Sequence, residues 1–182
     1  MSENIDQFAI YSAKIFQLLY DYFPIPESID HNEIICEYFT FDQSENLKVL
    51  KTKRDIASII DATNDEELKS KIPKNLPVIL EQITELEEAQ RNDKDRQQQI
   101  YEGTLEFLTA EGLLRKYANG RYQLTSKGFS HLNKSFKDGG IVDDKDKTNI
   151  SVLKAIFEKS SDTSLQVAAG TAVNVLTKIL GY

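Results

Sequence analysis

TLEFLTAEGLLRKYANGRYQLTSKGFSHL, running from Thr104 to Leu132, decides the fold. Its first third has helical spacing, and Gly112 stands where a helix ends, as glycine often does. Asn119-Gly120 lies between Leu113-Leu114-Arg115-Lys116-Tyr117 and Arg121-Tyr122-Gln123-Leu124. Asn-Gly favours the positive φ angles of a type I′ turn, so a tight hairpin is expected there. Tyr122 and Leu124 alternate with Gln123, the period of a strand with one buried face. Thr125 then stands as the N-cap of a second helix, with Phe129, Leu132 and Phe136 on its apolar side.

Upstream of this stretch, Ile5, Phe8, Ala9, Ser12, Ile15, Phe16, Leu19, Tyr22 and Phe23 recur at helical spacing. They predict an amphipathic helix from Ile5 to Phe23, stopped by Pro24 and Pro26. Asp30-His31-Asn32-Glu33 reads as a capping box opening a short helix that buries Ile34, Ile35 and Tyr38. Leu47, Leu50, Ala57 and Ile60 suggest a third helix. Thr63-Asn64-Asp65-Glu66 is a second capping box, for a helix ending before Pro73. Asn75 is placed to cap the next helix, with Pro77 tolerated in its first turn and Ile79, Ile83 and Leu86 as its buried stripe. The polar run EEAQRNDKDRQQQ reads either as a solvated loop or as the exposed middle of one helix spanning 76–111. Ile100, Gly103, Thr104, Phe107 and Leu108 form the apolar face that follows.

After the hairpin and its helix comes KDGGIVDDKDKTN, a Gly-, Asp- and Lys-rich linker. Ile150, Leu153, Ile156 and Phe157 predict a helix halted near Ser160-Ser161. Thr163 is placed to cap a last one. Its broad stripe includes Leu165, Ala168, Ala169, Ala172, Val173, Leu176, Ile179 and Leu180, and Lys178 is the sole charge from Thr163 to Tyr182.

Within residues 100–134, Leu105, Leu108, Glu111-Gly112-Leu113-Leu114, Gly120, Tyr122, Leu124-Thr125, Lys127-Gly128 and Leu132 carry a resemblance. The pattern resembles the winged helix-turn-helix superfamily in its MarR-like and PadR-like branches, over roughly a fifth of the chain. The resemblance implies a mainly α fold: a winged helix-turn-helix with a short β-hairpin wing, a helical insertion and a C-terminal helical tail. The expected organisation is a winged-helix domain over 1–137 with an insertion at about 42–96, a linker over 138–149 and a tail over 150–182. Winged helices serve as DNA readers, RNA binders and protein-interaction modules, so the resemblance leaves the activity open.

Composition narrows the classes. The net charge of -7 argues against indiscriminate nucleic-acid binding over the whole surface. Cys36 is the sole cysteine, so no intramolecular disulfide forms, which fits a reducing cytosol. MSENIDQF does not read as a secretory signal, and no apolar run reaches the length that spans a membrane. A cytoplasmic protein is expected.

The charge is unevenly spread. Between Met1 and Thr40 stand seven acidic residues, among them Asp21, Glu27, Asp30, Glu33 and Glu37, against one base, Lys14. Between Gly112 and Lys137 stand six bases, Arg115, Lys116, Arg121, Lys127, Lys134 and Lys137, and no acid. Arg115, Lys116, Arg121 and Lys127 are suited to grip a phosphate backbone. In a duplex reader the helix before the hairpin enters the major groove. Here its solvent face is expected to carry Arg96, Gln97, Gln99, Glu102, Glu106 and Glu111. The two glutamines suit adenine edges, but the glutamates would meet phosphates. Lys48, Lys51, Lys53 and Arg54 form a second basic cluster.

Catalysis finds no support. His31 and His131 have no companions at metal-ligand spacing, and no metal or cofactor is expected. Ser151 and Lys154 fit a Ser-x-x-Lys spacing without its companion motifs. Gly139-Gly140 is no phosphate loop, and the pairs Glu87-Glu88 and Asp143-Asp144 stand in polar runs.

Two readings follow. In the first the chain is a non-catalytic protein-binding module: a regulator, adaptor or toxin-neutralising inhibitor of bacterial or phage origin. Asp21, Glu27, Asp30, Glu33 and Glu37 would meet a basic protein partner, where charge complementarity speeds association. In the second it is a dimeric winged-helix DNA-binding transcription regulator. Its homodimer would form through Leu165, Ala169, Ala172, Val173, Leu176 and Leu180, unless that stripe packs on the chain's own core. No membrane partner is expected.

Overall fold

A computed structural model describes residues 3–38, 41–63, 66–69, 75–136, 147–158 and 165–181, without the side chains of 3, 36–38, 165 and 166. Several expectations lie outside these residues. They are the side chains of Cys36, Glu37, Tyr38 and Leu165, the Asn64-Asp65 part of the second capping box, the stop before Pro73, Lys137 and most of the linker, the halt at Ser160-Ser161, and Thr163.

The described chain is mainly helical with one two-stranded antiparallel sheet. In order it forms α1 (Glu3–Tyr22), α2 (His31–Tyr38), α3 (Ser44–Asp61), α4 (Glu66–Lys69), α5 (Leu76–Ala110), β1 (Leu114–Lys116), β2 (Tyr122–Leu124), α6 (Ser126–Leu132), α7 (Asn149–Glu158) and α8 (Leu165–Leu180). The polar run between Leu86 and Ile100 is the exposed middle of α5, a single helix of 35 residues. With no Gly or Pro from Val78 to Glu102, nothing in that run breaks the hydrogen-bond ladder. Pro77 sits in the first turn, where its missing N–H is no loss.

The chain divides into two units. One comprises residues 1–38 and 97–182, the other residues 39–96.

In the first unit α1 is the central helix, and its burial extends well beyond the expected apolar stripe. Ala9, Ile10, Tyr11, Ser12, Ala13, Ile15, Phe16 and Leu19 are all at most 1% exposed, and they point to nearly every side. A helix buried all round needs cover on all sides, and the C-terminal tail supplies much of it. α8 packs along α1, and α7 packs on both. The ends of α1 are the exception, since Ile5 and Tyr22 are each 49% exposed.

Ala169, Ala172 and Leu176 of the tail are buried at 2%, 0% and 3%, together with Val175 and Ile179. Val173 and Leu180 are half-buried. Among the described residues, the stripe expected to join two copies is therefore largely packed inside the chain. The linker also ends earlier than its composition suggests. Thr148 bridges Ser135, Asn149 Nδ2 donates to the His131 carbonyl at 2.8 Å, and Asn149 is buried. Phe136 lies beyond the end of α6, and its N–H donates to the Lys147 carbonyl at 2.7 Å.

The second unit has a small core of its own. Leu47 and Leu50 of α3 meet Ile79 and Ile83 of the first half of α5, with Leu86 packed against them.

Candidate interaction surface

The hairpin of the first unit is fixed at both ends by local chemistry. Gly112, at φ +68°, turns the chain out of α5. Its N–H donates to the Thr109 carbonyl at 3.0 Å, and that of Leu113 donates to Leu108 at 3.0 Å. This pair of bonds is a Schellman cap. The strands pair Leu114 with Leu124, Arg115 with Gln123 and Lys116 with Tyr122.

The turn differs from the type I′ expectation. The Tyr117 N–H donates to the Arg121 carbonyl at 2.9 Å, and the Gly120 N–H donates to Tyr117 at 3.0 Å. The loop is therefore Ala118-Asn119-Gly120, with Gly120 at φ +77°. This is the next commonest hairpin, a turn followed by a glycine in the left-handed region. Asn119 Oδ1 accepts from the Arg121 N–H at 3.2 Å and holds the loop.

Thr125 is the N-cap of α6, its hydroxyl oxygen accepting from the Gly128 N–H at 3.1 Å. The same hydroxyl donates to the Gly112 carbonyl at 2.7 Å, which ties the end of α5 to the start of α6. Gly128 is required there, because a Cβ on it would lie 2.4 Å from the Leu113 carbonyl oxygen. Lys127 is claimed by the same junction. Its ammonium donates to the Glu111 carbonyl at 2.6 Å, at the negative end of α5. It is a capping residue here rather than a free cation.

A third segment backs the hairpin. Glu27 and Tyr122 exchange both backbone bonds at 2.8 Å. Gln123 Nε2 donates to the Pro24 carbonyl, and the Tyr117 hydroxyl donates to Gln123 Oε1 at 2.5 Å. β2 thus has a neighbour on each side, while β1 is the outer strand. Arg115 and Lys116 are exposed along it, the kind of residue that guards a strand edge. Arg121 is exposed at the loop. Among the described residues no carboxylate lies within ion-pair distance of these three, and Lys116 stands 5.8 Å over the Tyr122 ring.

The acidic residues of the N-terminal segment are divided. Asp21 pairs with Lys154 of α7 at 2.5 Å. Asp30 caps α2, Oδ1 accepting from the N–H groups of Asn32 at 2.8 Å and Glu33 at 3.4 Å. Glu27 Oε1 accepts from the Ser28 N–H at 3.0 Å. Glu33 alone of the described set is exposed without a partner. The last turns of α5 carry the stronger acidic signal, with Glu102 and Glu106 both exposed.

The face of α5 is rotated from its expected setting. Tyr101, Thr104, Leu105 and Leu108 are inside, whereas Gly103 is exposed and Phe107 is 36% exposed, edge-on to Phe8. Gln97, expected at the surface, is 3% exposed and accepts from the Tyr11 hydroxyl at 2.6 Å. It reads no base. Tyr101 stands edge-on to Tyr11 with its hydroxyl buried and unpaired. Burial, and then Tyr122 and Asp30 nearby, push that phenol well above its usual range. The composition of the polar run concealed Gln97 and Tyr101. The one available clue was a tyrosine in each facing helix with a glutamine one turn away.

The remaining candidates have ordinary roles. Ser151 and Thr148 cap α7 reciprocally at 2.9 and 3.3 Å, and Lys154 is engaged with Asp21, so they form no Ser–Lys pair. His131 Nδ1 donates to the Ile179 carbonyl at 2.5 Å, and His31 lies against the Tyr101 ring. In the second unit Lys51 pairs with Glu87 at 2.7 Å and Arg54 with Asp55 at 2.8 Å. Among the described residues no helix is long and apolar enough to cross a membrane. No known protein family, curated protein or solved structure matches the chain.

Proposed function

We propose that the first unit is a winged-helix-like, non-catalytic protein-binding module whose partner is a basic protein. The observation that carries this reading is the pair of exposed carboxylates, Glu102 and Glu106, on the helix before the hairpin. A duplex reader needs cations or amides there. This helix buries Gln97, leaves Gln99 as its one exposed amide of the expected pair, and towards the hairpin turns acids outward. Glu102 Oε1 accepts from Gln98 Nε2 at 2.9 Å, a neutral donor that leaves its charge in place, and Glu33 on α2 adds a further exposed carboxylate. Such a surface repels phosphate and attracts lysine and arginine, which speeds encounter with a basic partner.

The test is recovery of a co-purifying basic protein with the wild-type chain and with Glu33→Lys/Glu102→Lys/Glu106→Lys. The triple variant is expected to lose the partner while keeping its helical circular dichroism. Retention of the same partner by the variant sinks the reading.

A second reading rests on Arg115, Lys116 and Arg121, exposed with no carboxylate in reach. These three would hold a phosphate backbone from the hairpin side. Fluorescence anisotropy with random duplex DNA at low and moderate salt separates the readings. Micromolar binding that falls steeply with salt, with a slope reduced by Arg115→Ala, Lys116→Ala and Arg121→Ala, favours DNA. No binding at low salt removes it.

A further inference from the structure

α3 has two apolar faces. Leu47, Leu50 and Ala57 are buried. On the opposite side Val49, Ile56 and Ile59 stand in solvent, 49%, 52% and 68% exposed. With Thr52 among them they follow the alternating three- and four-residue spacing of paired helices. One stripe is enough to hold a helix on its own core. A second stripe on an 18-residue helix is a surface for something else.

The charges beside the stripe say what covers it. Lys48 and Asp55 lie seven residues apart, on the same flank. Lys48 is exposed and has no carboxylate partner among the described residues. Asp55 Oδ1 takes the Arg54 guanidinium at 2.8 Å, which leaves the other carboxylate oxygen for a further cation. In an antiparallel pair of identical helices, residues of the same flank meet. Lys48 of each copy then stands beside Asp55 of the other, and the contact occurs twice about the two-fold axis. A parallel pair would instead bring Lys48 towards Lys53 of the other copy, like against like. We infer that α3 pairs with α3 of a second copy of this chain, antiparallel about an axis near Thr52, with Val49 packed beside Ile56 of that copy. The apolar area is small, so the association is reversible and depends on concentration.

Sedimentation equilibrium of the full chain over a roughly hundredfold range of concentration tests this. The wild type is expected to pass from monomer to dimer. Ile56→Glu, at an exposed position, is expected to stay monomeric with unchanged circular dichroism. Lys48→Glu sets two carboxylates together twice and is expected to weaken the dimer about tenfold. The swap Lys48→Glu/Asp55→Lys restores opposite charges in the antiparallel arrangement and is expected to recover most of that loss. A wild type that remains monomeric throughout, an Ile56→Glu variant that still dimerises, or a swap that recovers nothing would each overturn the inference.

Discussion

α1 and α3 are close in length, at 20 and 18 residues, yet they are built into the protein in opposite ways. α1 is enclosed. Its buried residues point to nearly every side, with α7 and α8 packed on it and the Tyr11 hydroxyl bonded into α5. α3 packs in its unit on the first half of α5 and touches the short α4, and it buries Leu47, Leu50 and Ala57 while leaving Val49, Ile56 and Ile59 in water. The difference comes from the elements around each helix more than from the helices themselves. The tail returns to cover the second side of α1, and nothing described covers the second side of α3. Stability therefore concentrates in the first unit, and unspent apolar surface in the second.

Truncating a large side chain in each core tests that contrast most strongly. Phe16→Ala removes a fully buried ring from α1, and it is expected to cost about 3–5 kcal/mol in denaturant unfolding. Leu50→Ala, in a core of four buried side chains, is expected to cost about 2–3 kcal/mol, because neighbours at a thin core can close in. Hydrogen exchange locates the effect. Amides of α1 are expected to open only with global unfolding, and those of α3 at lower free energy. Equal protection in the two helices would break the comparison.

Two smaller changes probe how tightly the first unit is set. Gly128→Ala puts a Cβ against the Leu113 carbonyl, a backbone atom that cannot swing aside. It is expected to cost about 2–3 kcal/mol and to loosen the start of α6, seen as lost protection at Phe129 and Ser130. Tyr11→Phe removes the donor to Gln97 Oε1 while keeping the ring. A buried acceptor left without its donor costs about 1–2 kcal/mol, which thermal unfolding would register as a lower midpoint. If Tyr11→Phe were neutral, that bond would add nothing to the enclosure of α1.

The elements were legible wherever local chemistry acts alone. Asp30 capping α2, Gly112 ending α5 and Thr125 opening α6 are each set by a few adjacent residues. Long-range packing was not legible in the same way. Ile10, Tyr11 and Ala13 lie outside the first stripe one draws on α1, and only the returning tail explains their burial. The same tail accounts for Ala169, Ala172 and Leu176, whose stripe on paper fits a second copy as well as the chain's own core. The Asn-Gly pair marked the turn but not its length, since the Tyr117–Arg121 bond adds a residue to the loop. Among the site residues, Arg115, Lys116 and Arg121 were readable as exposed cations. The capture of Lys127 by the Glu111 carbonyl and of Asp21 by Lys154 depends on partners 16 and 133 residues away.

The smallest expected effect belongs to the second unit, where a surface ion pair sits beside the thin core. The Lys51 ammonium, hydrogen-bonded to Glu87 at 2.7 Å, holds that carboxyl below the usual range, and the charges of Arg54 and Arg91 act in the same direction. A carboxyl whose pKa is depressed by folding stabilises the folded state above its unfolded pKa. That contribution is lost as pH falls through the folded pKa. Both side chains are well exposed, so water and salt screen the pair and its share of stability is slight. The effect is therefore best read at the group itself. An NMR titration of the Glu87 side-chain carboxyl should show a midpoint below that of an unpaired glutamate, and Lys51→Met or added salt should raise it. A midpoint at the ordinary value in the wild type would mean that the pair does not form in water. Leu47, Leu50, Ile79 and Ile83 would then hold α3 to α5 without electrostatic help, and the contrast with the enclosed α1 would be sharper still.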